Sequence, residues 1–309
     1  MSKFAKALRQ AQQDAALAKN GTAPVQRPPG HDGLPPLERP PIRVSAVREP
    51  DSSAAIADDH LVSLIRPSAF EAEQYRALRH IVEQMHKTAN VQVVAVSSPA
   101  VGDGKTTTAI NLAGALAQSP DARVLLVDAD LRRPSIGALL RHVDATPGLV
   151  DAILDPACTL DALLEFRPQF NLSFVQAGRR LSGSPYELLK SSRLGDVLEE
   201  ARRRFDYVIV DAPPLAVVQD CRLIAPWVDG FLVVVAANRT PRRLVEEALG
   251  VIEPARILGL VFNGDTEGRH ASYKGYGDNY LQTRLSLERN ALSRVRSLSR
   301  IWRGREGVR

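Results

Sequence analysis

The chain has 309 residues, 44% hydrophobic and 24% charged, which gives room for one sizeable α/β domain plus tails. Two cysteines, Cys158 and Cys221, have no metal-type spacing and form no disulfide framework, and the longest apolar runs, 230–237 and 257–262, are far too short to span a bilayer. The first ten residues lack the apolar core of a secretory signal, so a cytoplasmic protein is expected, and the net charge of +5 raises a nucleic-acid partner only if it is concentrated on the fold.

In chain order, residues 2–20 place Phe4, Leu8, Ala11 and Ala15 on one helical stripe, with Gly21 as a stop. So short and alanine-rich a helix is marginal in water unless something binds it, and a frayed tail or a docking helix both fit. Residues 22–50 carry eight of the 21 prolines and read as an extended, disordered linker. Residues 1–60 are therefore expected to be short helix plus linker, 61–265 a folded domain and 266–309 a separate tail. At the start of that domain, Leu78, Ile81, Val82 and Met85 make an apolar helical stripe. Glu73, Arg76 and Arg79 recur every three residues along one side, a ladder that taken alone is a solvated face.

The run VQVVAV at 91–96 is a buried-strand pattern, and TTTAINLAGAL at 106–116 has helical spacing. Between them lies SSPAVGDGKTTT, a glycine-rich turn opening a helix, which is the P-loop context. Gly102 and Gly104 let successive N–H groups turn inward beside the positive end of the helix. Lys105 is placed to reach β- and γ-phosphates, and the Thr106 hydroxyl to ligate Mg²⁺. Pro99 stands where the full pattern has glycine.

Next comes ARVLLVDA at 122–129, a second buried strand leading to Asp128 and Asp130, which share a side on an extended stretch. A short helix follows at 148–154, then a strand at 171–176, and Ser184, Pro185 and Glu187 read as N-cap, first-turn proline and capping-box acid. FDYVIVDAPP at 205–214 is an apolar strand ending in Asp211, the Walker B arrangement that holds Mg²⁺ directly or through water. Strands at 230–237 and 257–263 flank a helix started by Thr240-Pro241. This alternation predicts a doubly wound, mostly parallel α/β sheet with a P-loop NTPase core and disordered tails at both ends. Asp128, Asp130 and Asp211 would converge with the P-loop on one sheet edge.

Beyond residue 263, Tyr273, Tyr276 and Tyr280 sit in the glycine-containing stretch ASYKGYGDNYL, as a functional cluster or as incidental surface aromatics. Residues 282–309 hold eight arginines against Glu288 and Glu306, a local +6 that leaves the rest of the chain near −1. Leu285, Leu292, Val295, Leu298 and Trp302 fall on one helical face, making a basic amphipathic helix. An anionic membrane surface suits that tail better than nucleic acid, which is not expected as a partner.

Together these residues resemble the bacterial tyrosine kinases (BY-kinases, the CpsD/CapB family) that govern capsule and exopolysaccharide synthesis, across residues 61–280. SSPAVGDGKTTT is similar to the family's Walker A, VLLVDADLRRPS to its Walker A′ (DxDxR), YVIVDAPP to its Walker B, and Glu73-x-x-Arg76-x-x-Arg79 to its ring-assembly motif. SKFAKALRQA at the N-terminus further resembles autokinases of exosortase-linked polysaccharide systems. The related partition and septum-positioning ATPases carry a signature lysine where this chain has Ala100.

The resemblance implies an autokinase using ATP and Mg²⁺. Val101, Gly102, Asp103, Gly104, Lys105, Thr106, Thr107 and Asn263 would contact nucleotide, with Thr106, Asp130 and Asp211 around the metal, Asp130 through water. Asp128 would take the tyrosine proton and Arg132 would shape the acidic loop. Tyr273, Tyr276 and Tyr280 would be the phosphoacceptors on a neighbouring subunit, and Glu73, Arg76 and Arg79 the interface of a ring-like homo-oligomer. A separate membrane activator of the polysaccharide co-polymerase type is implied, with the chain peripheral at the inner face of the cell membrane. A P-loop assembly ATPase and a non-catalytic ATP-binding adaptor are the alternatives.

Overall fold

The β-branched runs that read as strands form a single sheet in the computed structural model, which describes residues 58–141 and 146–264. The segments read as an N-terminal helix, a proline-rich linker, a tyrosine cluster and a basic amphipathic helix lie outside the described residues. The described chain runs through α1 (Val62–Ile65), α2 (Phe70–Ala89), β1 (Val93–Ser97) and α3 (Lys105–Ala117). Then come β2 (Val124–Asp128), α4 (Ile136–Leu139), α5 (Leu149–Leu154), α6 (Leu160–Leu163), β3 (Glu165–Arg167) and β4 (Leu172–Val175). After these follow α7 (Tyr186–Leu189), α8 (Ser192–Arg204), β5 (Tyr207–Asp211), α9 (Asp220–Ile224), β6 (Gly230–Ala236), α10 (Arg242–Leu249) and β7 (Ile257–Asn263).

The strand order is β3-β4-β2-β5-β1-β6-β7. Every neighbouring pair is parallel except β3–β4, which is antiparallel. Parallel neighbours need long crossovers, and helices supply them on both faces, so the central strands are apolar on both sides. Side-chain alternation divides them between two cores. Val93, Ala95, Leu125, Val127, Val208, Val210, Phe231 and Val233 face one core with α5, α6 and α8. Their neighbours Val94, Val96, Val124, Leu126, Tyr207, Ile209, Leu232 and Val234 face the other, beneath α3. Each large apolar side chain fully buried this way contributes about 1.5–3 kcal/mol.

Three details differ from the sequence reading. On α2, Val82 is buried with Leu78 and Met85 packed against the same core, while Ile81 is 48% exposed. Positions 78, 82 and 85 fall on one face at 3.6 residues per turn, and 81 lies on its flank. The segment at Ser184 forms no capping box: α7 is one turn starting at Tyr186, without a side-chain cap at Pro185, and Ser184 Oγ accepts the Tyr186 N–H at 3.3 Å and Arg132 Nη2 at 3.4 Å. The antiparallel edge strand β3 and the one-turn helices α4 and α6 were not legible in the pattern.

Register brings the site together. In the parallel ladders Asp211 is the partner of Val96 on one side and of Asp128 on the other. The carboxyl ends of β1, β2 and β5 thus lie side by side, in the crevice where open α/β sheets bind ligands. Among the described residues no helix is long and apolar enough to cross a membrane.

Candidate functional site

The loop between β1 and α3 depends on two left-handed glycines, Gly102 at φ 86° and Gly104 at φ 96°. Gly104 is also the N-cap of α3 and provides no side-chain cap, so the first N–H groups of the helix stay available to an anion. A side chain at Gly104 would run into the Asn263 amide. Asn263, at the end of β7, donates its Nδ2 to the Asp103 carbonyl at 3.0 Å.

The Asp103 side chain is turned into the loop. Its carboxylate is buried, accepting the Ala100 N–H at 3.0 Å and the Thr240 hydroxyl at 2.8 Å. Arg239 donates to the Gly102 carbonyl from the same β6–α10 turn. The side chains of Asp103 and Asn263 therefore brace the loop and are absent from the cavity wall, whereas Val101, Gly102, Gly104, Lys105, Thr106 and Thr107 line it.

Lys105 Nζ lies 2.8 Å from Asp130 Oδ2 and 3.2 Å from Asp211 Oδ1. Although burial works against its charge, Asp211 and Asp130 hold the ammonium above the usual lysine range. The Thr106 hydroxyl donates to Asp211 Oδ2 at 2.6 Å. Burial lifts Asp211 to about 6 against the pull of Lys105 and Thr106. Asp128 Oδ2 accepts the N–H groups of Ser135 and Ile136 at 2.9 and 3.0 Å, which fixes the carboxylate at the start of α4. Its Oδ1 is buried without a hydrogen-bond partner. Burial, then the charge of Asp211, push the Asp128 carboxyl up to about 7.

Arg132 is held by a residue that the motifs did not single out. Its Nε and Nη2 donate to Asp220 Oδ2 and Oδ1 at 2.7 and 2.9 Å, a two-pronged pair to a carboxylate only 1% exposed. This joins the loop after β2 to the start of α9. The intervening Asp-Ala-Pro-Pro turn is pinned to the end of β1, where Ser97 Oγ donates to the Pro213 carbonyl at 2.6 Å and Leu215 N–H to the Ser98 carbonyl at 2.8 Å. Cys221 Sγ also donates to the Pro213 carbonyl, and burial pushes its thiol up to about 12, so it is inert packing.

The resulting cavity has a volume of about 430 Å³, with Asp130, Arg132, Arg133 and Ser135 opposite the P-loop. Its donor set fits a magnesium nucleotide. Hard oxygens of Thr106, Asp130 and Asp211 stand beside inward-turned loop amides, and the orphaned Asp128 Oδ1 lacks only a partner. Mg²⁺ bound with a nucleotide is held jointly by one or two protein oxygens, phosphates and water, a share these oxygens can supply.

Glu73, Arg76 and Arg79 are absent from the cavity wall. Glu73 pairs with Arg76, which also donates to the Pro67 carbonyl. Arg79 is partly buried, bonded to Glu83 at 2.6 Å and to the Ala115 carbonyl of α3 at 2.9 Å. The ladder is thus a solvated face only in its first half; its last member ties α2 to α3.

Residues 91–240 match the family described as AAA domain. The chain is 30% identical over 228 residues to the tyrosine-protein kinase YwqD of Bacillus subtilis (strain 168), covering 72% of this chain and 94% of that protein. It is 32% identical over 235 residues to the succinoglycan biosynthesis transport protein ExoP of Rhizobium meliloti (strain 1021), covering 71% of this chain and 29% of that one. The kinase domain of the Escherichia coli tyrosine kinase ETK shares the fold with a TM-score of 0.61 at 28% identity, over 67% of this chain and 82% of that domain.

Proposed function

The chain belongs to the bacterial tyrosine-protein kinases, and from that premise we propose that it is an Mg-ATP-dependent autokinase that phosphorylates Tyr273, Tyr276 and Tyr280 of a neighbouring copy. The observation that carries the reading is the convergence of Lys105, Thr106, Asp130 and Asp211 within hydrogen-bonding reach beside Asp128. Nucleotide phosphates would replace the carboxylates as partners of Lys105, and the α3 amides would take the remaining phosphate oxygens. Thr106 and Asp211 would hold Mg²⁺, with Asp130 reaching it through water, and the ion would supply charge to offset that developing on the transferred group. Asp128 accepts the phenol proton as the tyrosine oxygen bonds the γ-phosphorus. The bond from that phosphorus to the β–γ bridging oxygen breaks, and its electron pair leaves with ADP.

The succinoglycan transport protein ExoP contains a stretch similar to this chain within a much longer protein. That supports a role in exopolysaccharide or capsule synthesis, exercised with a membrane activator of the polysaccharide co-polymerase type. The arginine-rich residues 282–309 would hold the chain at the inner face of the membrane, and Glu73, Arg76 and Arg79 would lie at the contact between copies of a ring. Incubating the full chain with Mg-ATP and probing with an anti-phosphotyrosine antibody tests the chemistry. Signal is expected with the wild type and lost with Lys105→Met; ATP turnover without phosphotyrosine would instead mark an assembly ATPase.

A further inference from the structure

Strand β7 forms one edge of the sheet and is the last described element. Its neighbour β6 is buried along its whole length, whereas every residue of β7 is half-buried or exposed. Phe262 is 60% exposed, more than any other large apolar side chain among the described residues. It pairs with Val235, two residues beyond Val233, so alternation puts it on the face shared with α5, α6 and α8. Helix α10 packs on that same face through Ala248. Because Ala236 is the partner of Asn263, α10 opens at the Phe262 end of β7, where its Leu244 and Val245 are only half-buried. Packed helices lie about 8–10 Å apart, close to two strand spacings, so the next place in this layer is beside α10, over the outer side of β7. The exposure of Phe262 shows that no described element fills it.

Three observations say what belongs there. The exposed part of these side chains is at most a few hundred Å², far short of the roughly 800 Å² that each partner of a stable complex contributes. A patch that small suits a tethered segment, whose effective concentration is about millimolar, better than a free partner. The chain leaves β7 at Gly264, where a φ of 71° turns the backbone, and residues 265–284 then separate it from the apolar stripe running from Leu285 to Trp302. The lengths agree: a coil of twenty residues spans about 25 Å, β7 about 20 Å and the stripe, as a helix, about 26 Å. The other apolar stripe, at Phe4, Leu8, Ala11 and Ala15, is half alanine and reaches the domain only through the proline-rich linker.

We propose that residues 285–302 of the same chain dock on β7 as a further helix beside α10, with the apolar stripe over Phe262. Arg289, Arg296 and Arg300 share a flank of that helix, so they stay available to an anionic surface.

Hydrogen–deuterium exchange of the full-length chain, without nucleotide or lipid, tests this. Amides of residues 285–302 exchange at least about tenfold more slowly in the wild type than in Phe262→Asp. Leu298→Asp, outside the described domain, gives the same loss and also speeds exchange in β7, which a helix standing free of the sheet could not do. Both variants keep the wild-type exchange of β1, β5 and β6. Fast exchange of residues 285–302 in the wild type overturns the proposal, and so does protection that survives Phe262→Asp or β7 exchange unmoved by Leu298→Asp. Protection lost on diluting the wild type about tenfold overturns it as well, because it marks a second copy as the occupant.

Discussion

The Arg132–Asp220 pair is buried unequally, and that inequality sets how its two halves respond to mutation. The arginine side chain is 34% exposed and the carboxylate 1%. Removing Arg132 as Arg132→Ala strands a charge that water cannot reach, at a cost of about 3 kcal/mol. Removing the acid as Asp220→Ala leaves a guanidinium that can turn to solvent, at a cost of about 1 kcal/mol. The gap of about 2 kcal/mol corresponds to roughly 4–8 °C in Tm for a domain of this size. The double variant, with no charge left unpaired, should be no less stable than Arg132→Ala alone. Urea unfolding of all four proteins at neutral pH, with unchanged m values, gives the comparison. Equal losses from the two single variants, or a larger loss from Asp220→Ala, would refute the reasoning.

Asp128→Asn keeps the shape and the buried position but cannot take a proton, so Mg-ATP binding should persist while phosphotyrosine formation falls at least about a hundredfold; isothermal titration beside a transfer assay separates the two. Arg79→Ala should cost about 1 kcal/mol of unfolding free energy through its lost bonds to Glu83 and the α3 carbonyl, whereas Glu73→Ala on the exposed part of the ladder should cost less than about 0.5. Indistinguishable urea midpoints would return Arg79 to a plain surface position. Asp229 carries the pH prediction. Burial pushes its carboxyl up, but Arg202 and the N–H groups of Gln92 and Val93 outweigh that and hold it below the usual value. A depressed folded pKa means stability present above the unfolded value of about 4 and lost as pH falls through the folded one. Asp229→Ala should therefore be less stable than wild type at neutral pH, and the difference should shrink on acidification below about pH 4; a constant difference down to that region and beyond contradicts the assignment.

Strands β1, β2, β4, β5 and β6 were legible because each is a bounded run that the fold buries throughout, and a strand covered on both faces needs no other signal; β7, half-buried at the sheet edge, was legible from its apolar run alone. β3 was not, because Glu-Phe-Arg is half-exposed and takes its identity from pairing with β4. That Lys105, Thr106, Asp130 and Asp211 meet at one sheet edge could be read because each sits at a fixed offset from a strand end. Their braces could not. Asp220 meets Arg132 across 88 residues, and Thr240 meets Asp103 across 137, contacts that only the folded sheet creates. Asp103 shows the remaining gap: its place in the loop was readable, but the direction of its side chain was not.

The central claim is transfer between copies onto the C-terminal tyrosines, and a mixing experiment reaches it most directly. One protein is Lys105→Met, with acceptors but no phosphate-binding lysine; the other carries Tyr273→Phe, Tyr276→Phe and Tyr280→Phe, with an intact site but no acceptors. Each alone with Mg-ATP should remain unlabelled. Mixed, they should yield phosphotyrosine on the Lys105→Met chain and none on the other. A silent mixture beside an active wild type, or full labelling of the phenylalanine variant alone, would contradict the account.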